Sequence, residues 1–316
     1  MVTVRAPERQ AARERREQSR ARYPDLADTV ERNGVRLFYE VYGTGEPTVL
    51  LMPTWSIIHS RQWKLQIPYL ARLCRVVTFD GRGNGRSDRP SDPVTYREEE
   101  FAADALAVLD ATGTERAVVV SVSRGAERSL HLAANHPERV KMLVFIAPAL
   151  PLRPATPRLK AMREFEERRD EHSGWGKWNR HYWVDHYEDF LEFFFSMCFT
   201  EKHSTKARED CVGWGLDTEP NTLVASQLAR RIMDEGGVRQ LLTRIRCPVV
   251  VIHGRDDAIR PWRSGARLAE LAAGQLIVLE GSGHLPHARD PVRVNLLLRD
   301  VIRELVDRDR DARSRA

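Results

Sequence analysis

Residues 117–125 read AVVVSVSRG, and this run decides the fold of the chain. The apolar, β-branched residues 117–120 predict a buried strand, and residues 126–135 follow a helical pattern. A sharp strand-to-helix turn lifts a serine hydroxyl clear of the backbone and needs small residues two positions to either side. Gly125 fills the later position and Ser121 the earlier one. Because Ser123 alone has the glycine two residues later, Ser123 is the candidate nucleophile and Ser121 is not; the alternative is a serine in an ordinary strand-to-helix turn.

Two later strand-like runs are each followed by a loop that contains a side chain a serine nucleophile requires, an acid in one and a histidine in the other. Residues 248–252 read PVVVI and lead into HGRDD at 253–257, and residues 275–279 read QLIVL and lead into EGSGH at 280–284. Parallel strands bring their carboxyl ends to one edge of a sheet. The chain order serine, aspartate, histidine, each after a strand run, therefore predicts a catalytic triad.

Two further loops carry a family resemblance. Residues 48–52, TVLLM, lead into Pro53-Thr54-Trp55, and residues 76–79, VVTF, lead into DGRGNGRS at 80–87. With the serine turn and the HGRDD segment, these loops resemble the α/β-hydrolases of the esterase and cofactor-free haloperoxidase type that carry a helical cap. The resemblance covers about residues 30 to 306. One departure is Pro53-Thr54, where the family usually has His-Gly.

The resemblance implies roles for individual residues. Its H-G-x-x-D register selects Asp257 over Asp256 as the acid, so the implied triad is Ser123, Asp257 and His284. The backbone N–H groups of Trp55 and Arg124 form the implied oxyanion hole. His59 and His287 are interpreted as structural histidines.

The expected architecture is an α/β-hydrolase fold with a mainly parallel, eight-stranded sheet flanked by helices and an inserted helical cap. Alternating strand and helix patterns favour a sheet covered on both faces. Between residues 151 and 236 there is no apolar strand run, and aromatic-rich helical stretches replace it. We expect a basic N-terminal arm (1–26), a core in two parts (27–150 and 237–306), the cap (151–236) and a charged C-terminal tail (307–316).

The cap is where substrate choice is expected. Its unusual stretch, residues 175–183, reads WGKWNRHYW. Candidate substrate-binding residues are Trp55, Trp178, Arg180, His181 and Trp183. Aromatic residues at helical spacing also fit core packing, and Arg180 and His181 also fit the solvent face of an amphipathic helix.

These features predict a serine hydrolase that acts on a carboxylic ester, or a related acyl compound, through an acyl-Ser123 intermediate. Two alternatives stay open: an acyltransferase that passes the acyl group to an amine or alcohol, and a ligand-binding homologue without catalysis. The expected partner is a small-molecule acyl substrate, and a homodimer is possible. The prediction involves no cofactor and no metal.

Composition fits this class of protein. The chain has 316 residues, 42% hydrophobic and 30% charged, with a net charge of +5. Seven arginines and three glutamates give the first 22 residues a net charge of +4, and such mixed-sign segments are usually solvated, so we predict no nucleic-acid binding. Residues 81–85, GRGNG, fail the dinucleotide pattern because Arg86 holds the last glycine position.

The chain also has no apolar run of membrane-spanning length and no apolar secretory segment near its start. The prediction is therefore a cytoplasmic protein that does not bind membranes. Its four cysteines, Cys74, Cys198, Cys211 and Cys247, show no metal-binding spacing and are expected to be free thiols.

Overall fold

A single eight-stranded sheet forms the centre of the computed structural model, which describes residues 22–152, 161–202, 205–232 and 234–314. The order across the sheet is β1-β2-β4-β3-β5-β6-β7-β8. β2 pairs antiparallel with β1 and β4, and the other neighbours are parallel. The predicted α/β class and mainly parallel sheet are confirmed. The strands are β1 Leu26–Arg32, β2 Val35–Tyr42, β3 Thr48–Leu51, β4 Val76–Phe79, β5 Ala117–Val122, β6 Val140–Ile146, β7 Val249–Gly254 and β8 Gln275–Leu279.

Helices follow most of the parallel strands. Short 3₁₀ turns cover Ser60–Trp63, Pro93–Tyr96, Pro137–Arg139 and Gly174–Lys177. The α-helices with described bounds are α1 Ile67–Leu70, α2 Glu98–Ala111, α3 Gly125–Asn135, α4 Arg180–Asp185, α5 Tyr187–Cys198, α6 Lys206–Gly215, α7 Pro220–Leu228, α8 Glu235–Leu242, α9 Trp262–Leu271, α10 Pro286–Arg289 and α11 Pro291–Ser314.

The antiparallel edge begins with a tight hairpin at Asn33-Gly34. Both residues have positive φ, 52° and 75°, as a two-residue turn between right-twisted strands requires. The turn sets the register in which Arg32 pairs with Val35.

Each face of the sheet is covered by its own apolar layer, because side chains alternate along a strand. In β5, Val118 and Val120 point into one layer with α1, α11 and the aromatic insertion, while Val119 points into the other with α2, α3, α8 and α9. β5 lies between β3 and β6, so its carboxyl end opens at the middle of the sheet edge.

The helical insertion lies between β6 and β7. Helices α4 to α7 lie within the predicted cap, whereas α8 begins at Glu235 and continues past the expected boundary at residue 236. Val238 and Leu241 of α8 join the core layer of α3. Residues 153–160 of the predicted cap lie outside the described residues.

The predicted arm lies outside the described residues up to position 21, and residues 307–314 of the expected tail continue α11. Among the described residues, no helix is both long and apolar enough to cross a membrane.

Candidate active site

Ser123 stands at the turn between β5 and α3. Its backbone φ is +53°, a conformation that residues other than glycine rarely adopt. The turn is held from two sides, because the Ser123 amide donates to the Ile146 carbonyl at 3.0 Å and the Ser123 carbonyl accepts from the Ala149 amide at 3.0 Å. A strained backbone conformation that the surrounding hydrogen bonds hold in place is typical of a functional position.

Close packing explains the small residues around the turn. A Cβ at Gly125 would lie 2.9 Å from the Pro53 carbonyl oxygen and 3.2 Å from the Ser121 Cβ. Any larger side chain at position 125 would therefore push the elbow away from the loop after β3. Ser121 is fully buried, in contrast to the partly exposed Ser123.

Hydrogen bonds join the three side chains of the predicted triad. The Ser123 Oγ lies 2.9 Å from His284 Nε2, and His284 Nδ1 lies 2.7 Å from Asp257 Oδ2. The other oxygen of Asp257 accepts from the amides of Ile259 and Arg260, both at 2.8 Å. The three side chains are thus arranged for proton transfer from the hydroxyl to the imidazole.

The environment of Asp257 keeps its carboxylate charged. Burial alone would raise its pKa, but attraction to His284 and hydrogen bonds from His253 and His284 outweigh it, and the pKa lies well below the usual range. A charged carboxylate at this point orients the imidazole and stabilises its protonated form.

His253 is a second histidine on the same carboxylate, and sequence reasoning missed it. Its side chain is fully buried, and Nε2 lies 3.0 Å from both Asp257 Oδ2 and the Arg260 carbonyl. Two acceptors at one nitrogen require that Nε2 carries the proton. Its position four residues before the acid was the available signal, although this spacing alone indicates the register of the acid and not a second contact with it.

The predicted oxyanion amides are those of Trp55, in the loop after β3, and of Arg124, the residue directly after Ser123. Within the described part of the chain, neither the Trp55 amide nor the Arg124 amide donates a backbone hydrogen bond. Arg124 caps α3, so its N–H belongs to the positive end of that helix. Where the family has His-Gly, the carbonyls of Pro53 and Thr54 accept from the Arg128 guanidinium, at 3.2 Å for Pro53.

A buried ion cluster supports the turn from below. The Glu98 carboxylate accepts from Arg124 Nη2 at 2.8 Å and from Arg128 Nε at 2.6 Å, and all three side chains are almost completely buried. Arg231 adds a third guanidinium 3.4 Å from Glu98 and pairs with Glu127 at 2.8 Å. One glutamate therefore ties the residue after the nucleophile to the residue that holds the loop after β3.

An aromatic cluster forms around the Trp55 ring, with Trp178 and Trp183 as its other members. Trp178 stacks on Trp55 with ring centroids 5.1 Å apart, and Trp183 lies 5.6 Å from Trp55. Both insertion tryptophans are fully buried. They join the insertion to the core next to a predicted oxyanion residue.

Arg180 and His181 lie elsewhere. Arg180 pairs with Glu166 at 2.8 Å and is partly exposed, and His181 Nε2 lies 3.3 Å from the Glu166 carbonyl. These contacts lie within the insertion, and the structure does not bring either side chain to Ser123.

Helix α7 of the insertion contacts both predicted oxyanion residues through one position. Trp55 Nε1 donates to Ser226 Oγ at 3.0 Å, and Arg124 Nη2 donates to the Ser226 carbonyl at 3.3 Å. On the opposite side, the His284 amide donates to the Cys198 carbonyl at 2.9 Å. The insertion thus touches the oxyanion loops and the histidine loop of the site.

His59 and His287 have other partners. His59 Nε2 lies 3.2 Å from Asp217 Oδ2, a contact between core and insertion, and the fully buried His287 packs on Trp63 with ring centroids 4.8 Å apart. Burial lowers the pKa of His287 to about 3, so its ring is neutral. In the described ranges, no three His, Cys, Asp or Glu side chains cluster as metal ligands, and Cys74, Cys198, Cys211 and Cys247 are free.

Comparison with known proteins finds a family model that matches most of this sequence. The model of the alpha/beta hydrolase fold family matches residues 47–291. The chain is 26% identical to 2-hydroxymuconate semialdehyde hydrolase of Pseudomonas sp. (strain CF600), over 89% of this chain and 95% of that protein.

Solved structures show the same fold. An esterase from Exiguobacterium antarcticum superposes with a TM-score of 0.75 at 19% identity, over 88% of this chain and all of that one. A bromoperoxidase from Bacillus anthracis gives a TM-score of 0.72 at 21% identity, over 86% of this chain and 98% of that one.

Proposed function

This chain belongs to the alpha/beta hydrolase fold family of enzymes, and from that premise we propose that it is a serine hydrolase that cleaves a carboxylic ester through an acyl-Ser123 intermediate. The observation that carries the proposal is the chain of two hydrogen bonds, 2.9 Å and 2.7 Å, from Ser123 through His284 to Asp257. The hydrolase name of the semialdehyde-hydrolase relative agrees with this reaction class.

In the proposed mechanism, His284 Nε2 accepts the hydroxyl proton while Ser123 Oγ attacks the acyl carbon. The Asp257 carboxylate stabilises the imidazolium that forms. His284 then returns the proton to the leaving alcohol, and water, deprotonated by the same nitrogen, releases the acid from the acyl-serine.

The tetrahedral intermediates place negative charge on the former carbonyl oxygen. We assign its stabilisation to the amides of Arg124 and Trp55, which flank the serine and have no other backbone acceptor among the described residues. Removal of one such donor typically costs about 3 kcal/mol of transition-state stabilisation.

The direct test is covalent labelling of Ser123 with a fluorophosphonate probe, together with release of p-nitrophenol from short acyl esters. Ser123→Ala should abolish both while thermal unfolding stays close to that of the wild type, since the hydroxyl is needed only for the chemistry. The matched control is Ser121→Ala, two residues away, which should keep both signals. Undiminished labelling of Ser123→Ala would refute the assignment.

The same assay separates hydrolysis from acyl transfer. The proposal predicts that free acid is the main product with or without added amines or alcohols. If an acceptor takes most of the acyl group at millimolar concentration, the enzyme is an acyltransferase.

A further inference from the structure

Arg260 differs from the other buried arginines of the described chain. Arg61, Arg82, Arg124 and Arg128 each contact a carboxylate within 2.8 Å. The Arg260 side chain, only 8% exposed, has no salt bridge or hydrogen bond within the described residues, and its Nε is completely enclosed. A buried guanidinium without an acceptor is costly, so its persistence calls for an explanation.

The carboxylates that interact electrostatically with Arg260 are already bound to other partners. Asp257 and Glu127 are the acidic groups that act on Arg260. Asp257 accepts from two histidines and two amides, whereas Glu127 accepts from Arg231 Nη2 at 2.8 Å and from the Ile232 amide at 2.7 Å. Neither is free to turn toward Arg260.

The charges around Arg260 do not balance. Four guanidinium groups, those of Arg124, Arg128, Arg231 and Arg260, lie in this connected region against three carboxylates, those of Glu98, Glu127 and Asp257. One positive charge remains. Burial, followed by repulsion from Arg231, lowers the pKa of Arg260 to about 10, which still leaves it charged at neutral pH.

Arg260 also lies beside the triad. Its amide binds Asp257 Oδ1 at 2.8 Å and its carbonyl lies 3.0 Å from His253 Nε2. Arg231, the cation that acts most strongly on it, donates to the Ala149 carbonyl at 3.3 Å, and the Ala149 amide binds the Ser123 carbonyl. The Arg260 backbone thus contacts the acid of the triad, and its guanidinium lies close enough to the Asp257 carboxylate to interact with it electrostatically.

We propose that Arg260 binds a carboxylate carried by the substrate, so that the preferred esters are those of acids or alcohols with a second, anionic group. This inference rests on the proposed serine-hydrolase function. A monoanion supplies the one missing negative charge, and a planar guanidinium matches a carboxylate with paired hydrogen bonds.

The test compares two p-nitrophenyl esters of equal chain length, the valerate and the hemiglutarate, which differ in a terminal carboxylate. The measured quantity is the ratio of kcat/KM for the anionic ester to kcat/KM for the neutral one. Arg260→Met should lower this ratio about 10- to 100-fold, since charge-assisted hydrogen bonds to the substrate are lost. Arg260→Lys should retain part of the preference.

Arg263→Met is the matched control. Arg263 is exposed on α9, packs on Trp262, and carries the same charge three residues away. The ratio should stay at the wild-type value in this variant. If Arg263→Met and Arg260→Met lowered the kcat/KM ratio equally, the preference would be an effect of long-range charge. The proposed carboxylate site at Arg260 would then be refuted.

Binding without turnover separates this inference from the proposed function. Calorimetry on the Ser123→Ala protein should detect glutarate binding that is lost when Arg260→Met is added. If neither ester is hydrolysed but glutarate still binds through Arg260, the proposed serine-hydrolase function is refuted. The proposed carboxylate-binding site is then still supported. If the wild type shows no preference and Ser123→Ala binds no glutarate, the site is refuted even where Arg260→Met does not fold.

Discussion

At the residue scale, Asp257 uses both of its oxygens, because one contacts His284 and His253 and the other accepts from two amides. Asp256, its neighbour, is exposed. The two adjacent carboxylates therefore have opposite environments, and the difference makes them a matched pair for mutation.

Asp257→Asn should lower kcat for p-nitrophenyl esters by about 10⁴-fold, because the amide no longer stabilises the imidazolium or fixes its tautomer. Asp256→Asn should stay within about threefold of the wild type, as is usual for an exposed position. Steady-state kinetics on both variants check this. Similar losses in the two would show that the acid was assigned to the wrong residue.

Much of this site was predictable from local sequence. The glycine two residues after Ser123 and the register of residues 253–257 were sufficient to name the side chains that the structure joins by hydrogen bonds. The contact of His253 with Asp257 and the proposed role of Arg260 were not predictable, because they depend on which polar groups meet, or fail to find a partner, after folding. Single-residue patterns carry no such information.

At the element scale, α7 connects the insertion to the predicted oxyanion loops, in addition to the packing of Trp178 and Trp183 on Trp55. Through Ser226 it holds the Trp55 indole and the Arg124 guanidinium, so the helix contacts both residues whose amides we propose as the oxyanion donors. The aromatic pattern of residues 175–183 indicates Trp178 and Trp183 as candidate substrate-binding residues. It gave no sign of Ser226, because a serine inside a helix has no periodic signature.

Ser226→Ala should lower kcat about tenfold with little change in KM, since a looser Trp55 turn weakens stabilisation of the transition state more than ground-state binding. Ser226→Thr, which keeps the hydroxyl, should restore most of kcat. Ser196→Ala is the control, since Ser196 Oγ donates to the Phe193 carbonyl of its own helix. A change in KM alone, or an equal effect of Ser196→Ala, would contradict a positioning role.

At the scale of the whole molecule, the ion cluster around Glu98 joins distant parts of the chain: α2, the elbow helix α3 and Arg231 after α7. The strand pattern made the sheet predictable, because apolar runs and their turns are local features. The ion cluster could not be predicted from the sequence, because Glu98 and Arg128 are 30 positions apart and neither segment indicates a contact with the other.

Glu98→Gln should destabilise the fold by about 3–5 kcal/mol at pH 7, because it leaves buried arginines without their counter-charge. Burial raises the pKa of Glu98, but attraction to Arg128, Arg124 and Arg231 prevails and lowers it from 4.5 to about 2. Its stabilisation is therefore complete above pH 4.5 and is lost as the pH falls toward 2.

Thermal unfolding between pH 7 and pH 3 measures this effect. The difference between wild type and Glu98→Gln should shrink as the pH falls through that window. Glu280→Gln is the control, because the exposed Glu280 also pairs with an arginine, Arg255, yet should shift stability by less than about 1 kcal/mol. A constant difference across the pH range would argue against the ionised form as the source of stability.

The position of the insertion also bears on how the protein folds. His284 and Ser123 are 161 positions apart, with the whole insertion and β7 between them. Contacts of such long sequence separation form late, because the intervening chain must first be ordered. The proposed nucleophile comes from the first half of the core and the proposed base from the second, so we expect that labelling of Ser123 by an active-site probe reports the assembled molecule, not a folded half.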